Sequence, residues 1–485
     1  MNRLFLFALL ASLLYPEAEA RRLGAQSCFN FKVRCGFLKI HAHHVKEDKT
    51  CETKCVSWVR FLSLSSQGWK CGKCPQCFNS KEELQKAVDL IVAQEPWAEA
   101  LLGGKYGWPM GKWCFTSNVT DMSGLFENST IFNQSLSEWD TSSVTDMSRM
   151  FYDAYVFRSD LSAWNVSNVQ NTASMFDGAS EFDSDLSQWD VSKVTDMQGM
   201  FHKAFAFTSS VSDWDVSNVR NMAATFANAF SFNSDVSNWN TSSVTDMSNM
   251  FDFARSFDGD LSRWDVSKVR DMSEMLAGVA GSTMDLSKWD TSSVTDMYVM
   301  FYWAPNFNGN ISTWDVSNVR NMAGMFTFDS NFNSDISKWN VSSVTDMSWM
   351  FDHATGFNGD ISAWNPVSAR DVHGMFQYAE SFNSDISGWD TSSTTDMMQM
   401  FMHALAFNRD ISAWDVSKVN FTGSMFLEAA SFDQNLCPWG NQWRDKPDMP
   451  IYWYGASIFQ GTACPNQTLT DMFHDPPTPL CHNCV

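Results

Sequence analysis

Three cysteines, Cys71, Cys74 and Cys77, are spaced by two-residue gaps in "CGKCPQC", and His41, His43 and His44 lie upstream beside Cys51 and Cys55. Thiolates and imidazoles at that spacing suit a zinc site, and a CxxC pair suits redox exchange. The start of the chain weighs against both. "MNRLFLFALLASLLYPEAEA" has a basic residue at Arg3, an apolar run from Leu4 to Leu14, and a small-x-small end at Ala18-Glu19-Ala20. Residues 1–20 therefore read as a secretory signal, and the apolar run is too short to span a bilayer. In an oxidising compartment, cysteines read as disulfides. All twelve are expected to be paired: Cys28, Cys35, Cys51, Cys55, Cys71, Cys74, Cys77 and Cys114 in one group, and Cys437, Cys464, Cys481 and Cys484 in the other. No resident metal or cofactor is expected.

Other chemistry is sparse. His202, His353, His373 and His403 occupy positions that differ between repeats. No nucleophile elbow, metal-binding helix motif or phosphate loop is present, so an enzyme is not expected. The formal charge of −22 argues against nucleic acid, whose phosphates it would repel. It favours solubility and cationic partners.

One group of residues does suggest recognition. Trp303, Phe328, His353, Tyr378 and His403 follow one another at intervals of 25. Earlier equivalents are Asn128, Asp153, Gly178, Lys203 and Asn228, so the fold does not demand rings there. Rings stacked along one edge could meet sugar rings or an aromatic-rich partner, or simply finish the edge of the core.

The element that must position these rings is a repeat. Tryptophans from Trp139 to Trp439 recur every 25 residues without an insertion. Phe126, Phe151 and Phe176 form a second lane, and Phe132, Phe157 and Phe182 a third. A register that never slips over some thirteen units implies coils stacked as a solenoid. Within a unit, Val144, Met147, Met150, Phe151, Ala154 and Phe157 step by three and four, which predicts a helical turn. Trp164 and Val166 alternate with polar residues, which predicts a short parallel strand. Thirteen coils at strand spacing would extend roughly 60 Å.

Polar lanes accompany the apolar ones. Asx recurs at Asn133, Asn233 and Asn308, and again at Asp160, Asp185 and Asp235, with Ser at Ser162 and Ser187. Short Asx and Ser side chains satisfy backbone groups at tight corners. The alternative is a calcium-binding stack of carboxylates, but the Gly-Gly-x-Gly-x-Asp runs of such repeats are missing.

"DISAWDVSKV" and "VTDMSNMFDFARSFDGDLSRW" resemble the repeat of BspA-like leucine-rich-repeat surface proteins over about residues 116–436. That resemblance implies an α/β solenoid, a leucine-rich-repeat-like right-handed coil, and a secreted or surface location. It also implies a role in adhesion or binding and no catalytic residues. The expected organisation is a signal peptide at 1–20, a cysteine-rich cap at 21–115, the solenoid at 116–436 and a second cap at 437–485. The cysteine-rich flanks depart from the bacterial pattern and point to a eukaryotic-type relative. The expected partner is an extracellular glycan or protein. The alternative is an acidic matrix rod organised by divalent cations, since residues 116–436 carry 15 Lys and Arg against 41 Asp and Glu.

Smaller expectations complete the reading. "SKEELQKAVDLIVAQ" should form a helix with Ser80 as N-cap and Glu83 closing a capping box. Leu276 and Ser282 replace lane phenylalanines and should loosen their coil, and Pro366 should disturb another. "TLTDMF" at Thr468 resembles a decayed last repeat. Among the sequons, Asn165, Asn240 and Asn340 would crowd a sheet face, which leaves Asn128 and Asn466 as the better glycosylation sites. No later segment looks like a transmembrane helix or a lipid-anchor signal.

Overall fold

The computed structural model describes residues 75–279, 284–444, 458–467 and 481–482. Its repeats form a solenoid. Parallel bridges join Asp121 to Asp146 and Asp146 to Asn171, and continue coil by coil to the bridge between Asp396 and Phe421.

Within a coil, successive amides alternate their partners. Met147, Arg149, Phe151 and Asp153 donate to the carbonyls of Asn171, Ala173, Met175 and Asp177 one coil on, at 2.7–3.0 Å. The amides between them turn back: Met150 donates to Met147, Tyr152 to Arg149 and Ala154 to Phe151. This corrects the expected helical turn. An α-helix needs each amide to bond four residues back along its own chain, whereas here every second amide leaves for a neighbour. The expected strand is also misplaced. Trp164 and Val169 close turns onto Leu161 and Val166, so the alternating "WNV" segment is a pair of corners. The inter-coil ladder instead runs through the segment that had looked helical.

The ladder imposes a conformational demand. Two positions per coil take positive φ, for example Arg149 at 56° and Asp153 at 54°. That region favours glycine and tolerates Asn and Asp.

Between the corners lies a continuous aromatic core. Phe151 and Phe176 stack at 5.5 Å and 3°, and Trp139 and Trp164 at 6.3 Å and 1°. Each lane tryptophan also has a buried polar partner. Nε1 of Trp164 donates to Leu136 O at 3.0 Å, that of Trp189 to Leu161 O and that of Trp214 to Leu186 O. The bond meets the rule that a buried indole N–H needs an acceptor, and it ties each coil to the one before.

The Asx and Ser lanes are corner ladders. Asp160 Oδ1 accepts the Ser162 amide at 2.9 Å, and Asn133 Oδ1 accepts the Arg158 amide across coils at 3.0 Å. Hydrogen bonds from Ser162 hold the Asp160 carboxyl below its usual range. Asn165, Asn240 and Asn340 are exposed at these corners and not on a sheet face, which removes the crowding argument against them. Asn128 is exposed, whereas the half-buried Asn466 uses its amide nitrogen to bond Cys481 O.

Two expected defects are absorbed. Ala369 donates to Pro366 O at 2.9 Å, the same turn that Val169 makes to Val166. Pro366 therefore occupies a position that leaves this turn intact. Leu276 is buried and interrupts the phenylalanine stack, yet Phe251 still bonds Met275 O and Leu276 bonds Met300 O. That coil keeps its register on both sides, and Ser282 lies outside the described residues.

Both ends are capped. Helix α1 (Lys81–Val92) starts at Ser80, whose hydroxyl accepts the Glu83 amide at 3.3 Å. The Glu83 carboxylate reaches the Asn79 amide, one residue beyond the expected partner. Helix α1 reaches the first coil through Lys81 to Asp121 and Gln85 to Leu125 O, and α2 (Ala98–Lys105) packs against this helix. Trp113 stacks on Trp139, and Met110 O accepts the Trp139 indole, so the cap supplies what a preceding coil would. A Cys77–Cys114 disulfide closes this cap, so Cys77 is neither a free zinc ligand nor the partner of Cys74 in a CxxC pair. Cys71 and Cys74, the upstream cysteines and histidines, and residues 1–20 lie outside the described residues.

At the other end, after α3 (Cys437–Arg444), the amides of Phe426 and Glu428 bond Ile458 O and Gln460 O, and Phe459 stacks on Phe426. Residues 458–461 thus take the place of a last coil, while the "TLTDMF" segment lies outside the described residues. A Cys464–Cys481 disulfide braces this end, and Cys437 is also disulfide-bonded. Among the described residues, no helix is long and apolar enough to cross a membrane.

Candidate functional site

The five lane residues chosen from sequence all sit at one of the two positive-φ positions of their coils. Trp303 has φ 52°, Phe328 61°, His353 56°, Tyr378 53° and His403 56°. A bulky aromatic in the left-handed region is a backbone outlier that the fold itself does not ask for.

The structure brings four of the five together. Phe328 and His353 stack at 4.4 Å, His353 and Tyr378 at 4.3 Å, and Tyr378 and His403 at 4.4 Å. Their polar ends are held in place. His353 Nδ1 meets Asp352 Oδ1 at 2.8 Å, and His403 Nε2 meets Glu428 Oε2 at 2.6 Å. Glu428 belongs to the same lane, so a carboxylate closes the stack. Because each inner ring covers its neighbours' faces, this stretch presents mainly ring edges outward.

Trp303 is arranged differently. Its ring lies 5.7 Å from Phe253, two coils earlier, while Phe328 takes Tyr302 edge-on at 5.9 Å. The lane therefore divides between Trp303 and Phe328. Both residues remain exposed, Trp303 at 48% and Phe328 at 38%.

The neighbouring lane adds residues that the sequence reading passed over. Phe205 and Phe230 stack at 4.8 Å, and the Arg255 guanidinium lies over Phe230 at 5.2 Å, near Phe253 and Trp303 as well. Trp349, which the sequence already places near the stripe, lies in the other positive-φ lane at φ 51°, is exposed and packs against His373 at 4.8 Å. Tabulating every lane at the 25-residue period would have found Phe253 and Phe205–Phe230–Arg255.

The repeats match the family model "Mycoplasma protein of unknown function, DUF285" in four segments, residues 106–208, 184–283, 277–377 and 363–463. The chain belongs to this family. No curated protein matches it. Each DUF285 segment spans about four coils, and the second and third overlap in the coil where Leu276 and Gly278 break the ring lanes.

Beneath the aromatic face of these DUF285 coils lie acids out of place. Asp329 is fully buried in a lane otherwise held by residues such as Ala304 and Ala354, and neither carboxyl oxygen has a hydrogen-bond partner. Burial pushes its pKa up to about 8; the Asn331 and Phe332 amides lie near the carboxyl and oppose this only slightly, too poorly placed to form hydrogen bonds with it. Burial likewise raises Asp352, with His353 opposing, and raises Asp252 to about 6, with Glu274 adding to the shift.

Metal-ligating groups converge weakly. Among the described residues, Asp433, Cys481 and His482 come within reach of one another, but Cys481 is spent in its disulfide with Cys464. The Asx lanes proposed for calcium give one oxygen each to a backbone amide.

Proposed function

We propose that this chain is a secreted or cell-surface binding module, and that the aromatic face from Trp303 to His403 contacts an extracellular glycan or protein. One observation carries the reading: five consecutive coils place rings where the backbone favours Gly, Asn or Asp. Local rules broken in this way are expected at functional sites. The stacked stretch offers edges with imidazole nitrogens and a phenol, and Trp303 offers exposed ring surface to an apolar sugar face or side chain. The disulfide-braced caps fit an extracellular setting. Kinship with BspA-like leucine-rich-repeat surface proteins, with a right-handed coil, belongs to the same proposal and rests on the quoted repeat phrases.

The test is binding of the purified chain to a panel of polysaccharides and cell-surface proteins, beside a variant carrying Trp303→Ala, Phe328→Ala and Tyr378→Ala. The expected result is loss of binding in a variant with unchanged circular dichroism. Equal binding by both would move the function to the acidic rod, whose contacts would be weak, salt-sensitive and spread along its length.

A further inference from the structure

We propose that the Arg255 end of the aromatic face seats the carboxylate of one acidic sugar residue, so that the ligand is a glycan bearing a single accessible carboxylate. This deepens the binding reading and rests on it.

Arg255 continues an aromatic stack as a cation. Phe205 and Phe230 stack at 8°, and the guanidinium comes next at 5.2 Å from the Phe230 centroid. Phe253 and Trp303 lie on its other sides at 5.9 and 5.8 Å. Three rings thus surround one exposed guanidinium. Among the described residues it has no carboxylate within ion-pair distance, a state it shares with most arginines of the solenoid, since only Arg149 and Arg158 are ion-paired. What sets Arg255 apart among the described arginines is its rings: it lies near three, whereas Arg149 faces Tyr152 alone.

Its chemistry defines the partner. A planar guanidinium stacked on rings keeps its N–H edge for a carboxylate, which it can take with two parallel hydrogen bonds. Trp303, exposed beside it, supplies the apolar surface on which the C–H face of a pyranose packs. Carboxylate and sugar face within one residue match guanidinium and indole within one cluster.

Charge limits the partner further. Asp252 lies in the same coil as Arg255 and Glu274 in the next, and each carboxyl is raised by burial, Asp252 further by the charge of Glu274. The solenoid as a whole is strongly acidic. Such a surface repels a polyanion and tolerates one charge delivered onto Arg255. That selects a sugar chain ending in one acid over a sulfated polymer or an acidic peptide.

The experiment uses the purified full chain and five probes: one oligosaccharide ending in sialic acid, the same oligosaccharide ending in galactose, trigalacturonic acid, a heparin-type sulfated chain and a polyglutamate peptide. The expected result is at least tenfold tighter binding of the sialylated than of the galactose-terminated form. Arg255→Gln should bring the two within twofold, Arg255→Lys should lose most of the preference, and Trp303→Ala should weaken both. Equal affinity for the two forms, an unaffected Arg255→Gln variant, or tighter binding of trigalacturonic acid, the sulfated chain or the peptide would overturn the inference. If the Trp303/Phe328/Tyr378 variant loses a ligand that Arg255→Gln retains, the binding reading stands and the acidic-sugar inference falls. If no panel ligand binds the wild type, or the triple variant binds as the wild type does, both fall.

Discussion

Phe253 and Trp303 are two coils apart and their rings meet at 5.7 Å. Gly278, in the coil between them, makes the contact available. A Cβ built there would come within 2.6 Å of Phe253 Cδ1, and the residue has φ +66°. The coil that lost its lane phenylalanine is also the one that opens a slot for Phe253, and this slot joins the Arg255 cluster to Trp303.

Gly278→Ala should therefore displace the Phe253 ring. The left-handed backbone costs an alanine about 1 kcal/mol, on the scale set by glycine's freedom in that region. We expect a small fall in thermal stability and a larger loss of ligand binding. Binding unchanged beside a lowered Tm would show that the Phe253–Trp303 contact is structural only.

The tryptophan lane predicts a cost that area alone would miss. Trp214→Phe retains an aromatic ring but loses the indole bond to Leu186 O, which keeps the Trp189 amide as its donor. One hydrogen bond lost from an acceptor that keeps another donor costs about 0.5–1.5 kcal/mol. Urea unfolding should show that loss, and a destabilisation below a few tenths would mean the indole bond contributes little.

Asp329 should make stability fall as pH rises. The folded state holds this proton up to about pH 8, and an unfolded Asp releases it near pH ~4. Between those values the unfolded chain binds fewer protons, so stability declines with pH by up to about 1.4 kcal/mol per unit and is level outside the window. Asp329→Ala suits a lane of alanines and should reduce the slope, most clearly above about pH 6, where the raised Asp252 has already titrated. Melting curves at pH 5 and pH 8 test this, and an identical pH dependence in both proteins would exclude Asp329 as its source.

Corner carboxylates act in the opposite sense. Hydrogen bonds from serine lower Asp160, Asp185 and Asp235, so their stabilisation is present above about pH 4 and is lost as pH falls through the depressed values. Acid should loosen the corners along the whole solenoid, seen as a gradual loss of circular dichroism below pH 4 and not as a step at one coil.

The Cys77–Cys114 bond closes a loop with a sequence separation of 37. Removing it with serine at both positions should cost about 3–4 kcal/mol by the chain-entropy relation. Fluorescence of the buried Trp113 should shift to the red before the solenoid unfolds. A single transition matching the wild type would show that α1 and α2 hold the cap without the bridge.

By itself, the sequence determined the stacking. Residues at a strict period of 25 can bury Trp, Phe and Met only against their own copies, so a solenoid with aromatic lanes, polar corners and covering ends was legible, as was the Ser80 cap. The same periodicity misled about local conformation. Steps of three and four arise from turns that hand every second amide to the next coil as readily as from a helix, and only three-dimensional hydrogen bonding separates the two. The five lane rings were likewise legible as a row. That four of them stack on one another, that Trp303 turns instead toward Phe253, and that Arg255 meets three rings were decided by the tertiary structure. Those contacts depend on side-chain direction at left-handed positions and on the missing side chain of Gly278, which no spacing along the chain encodes.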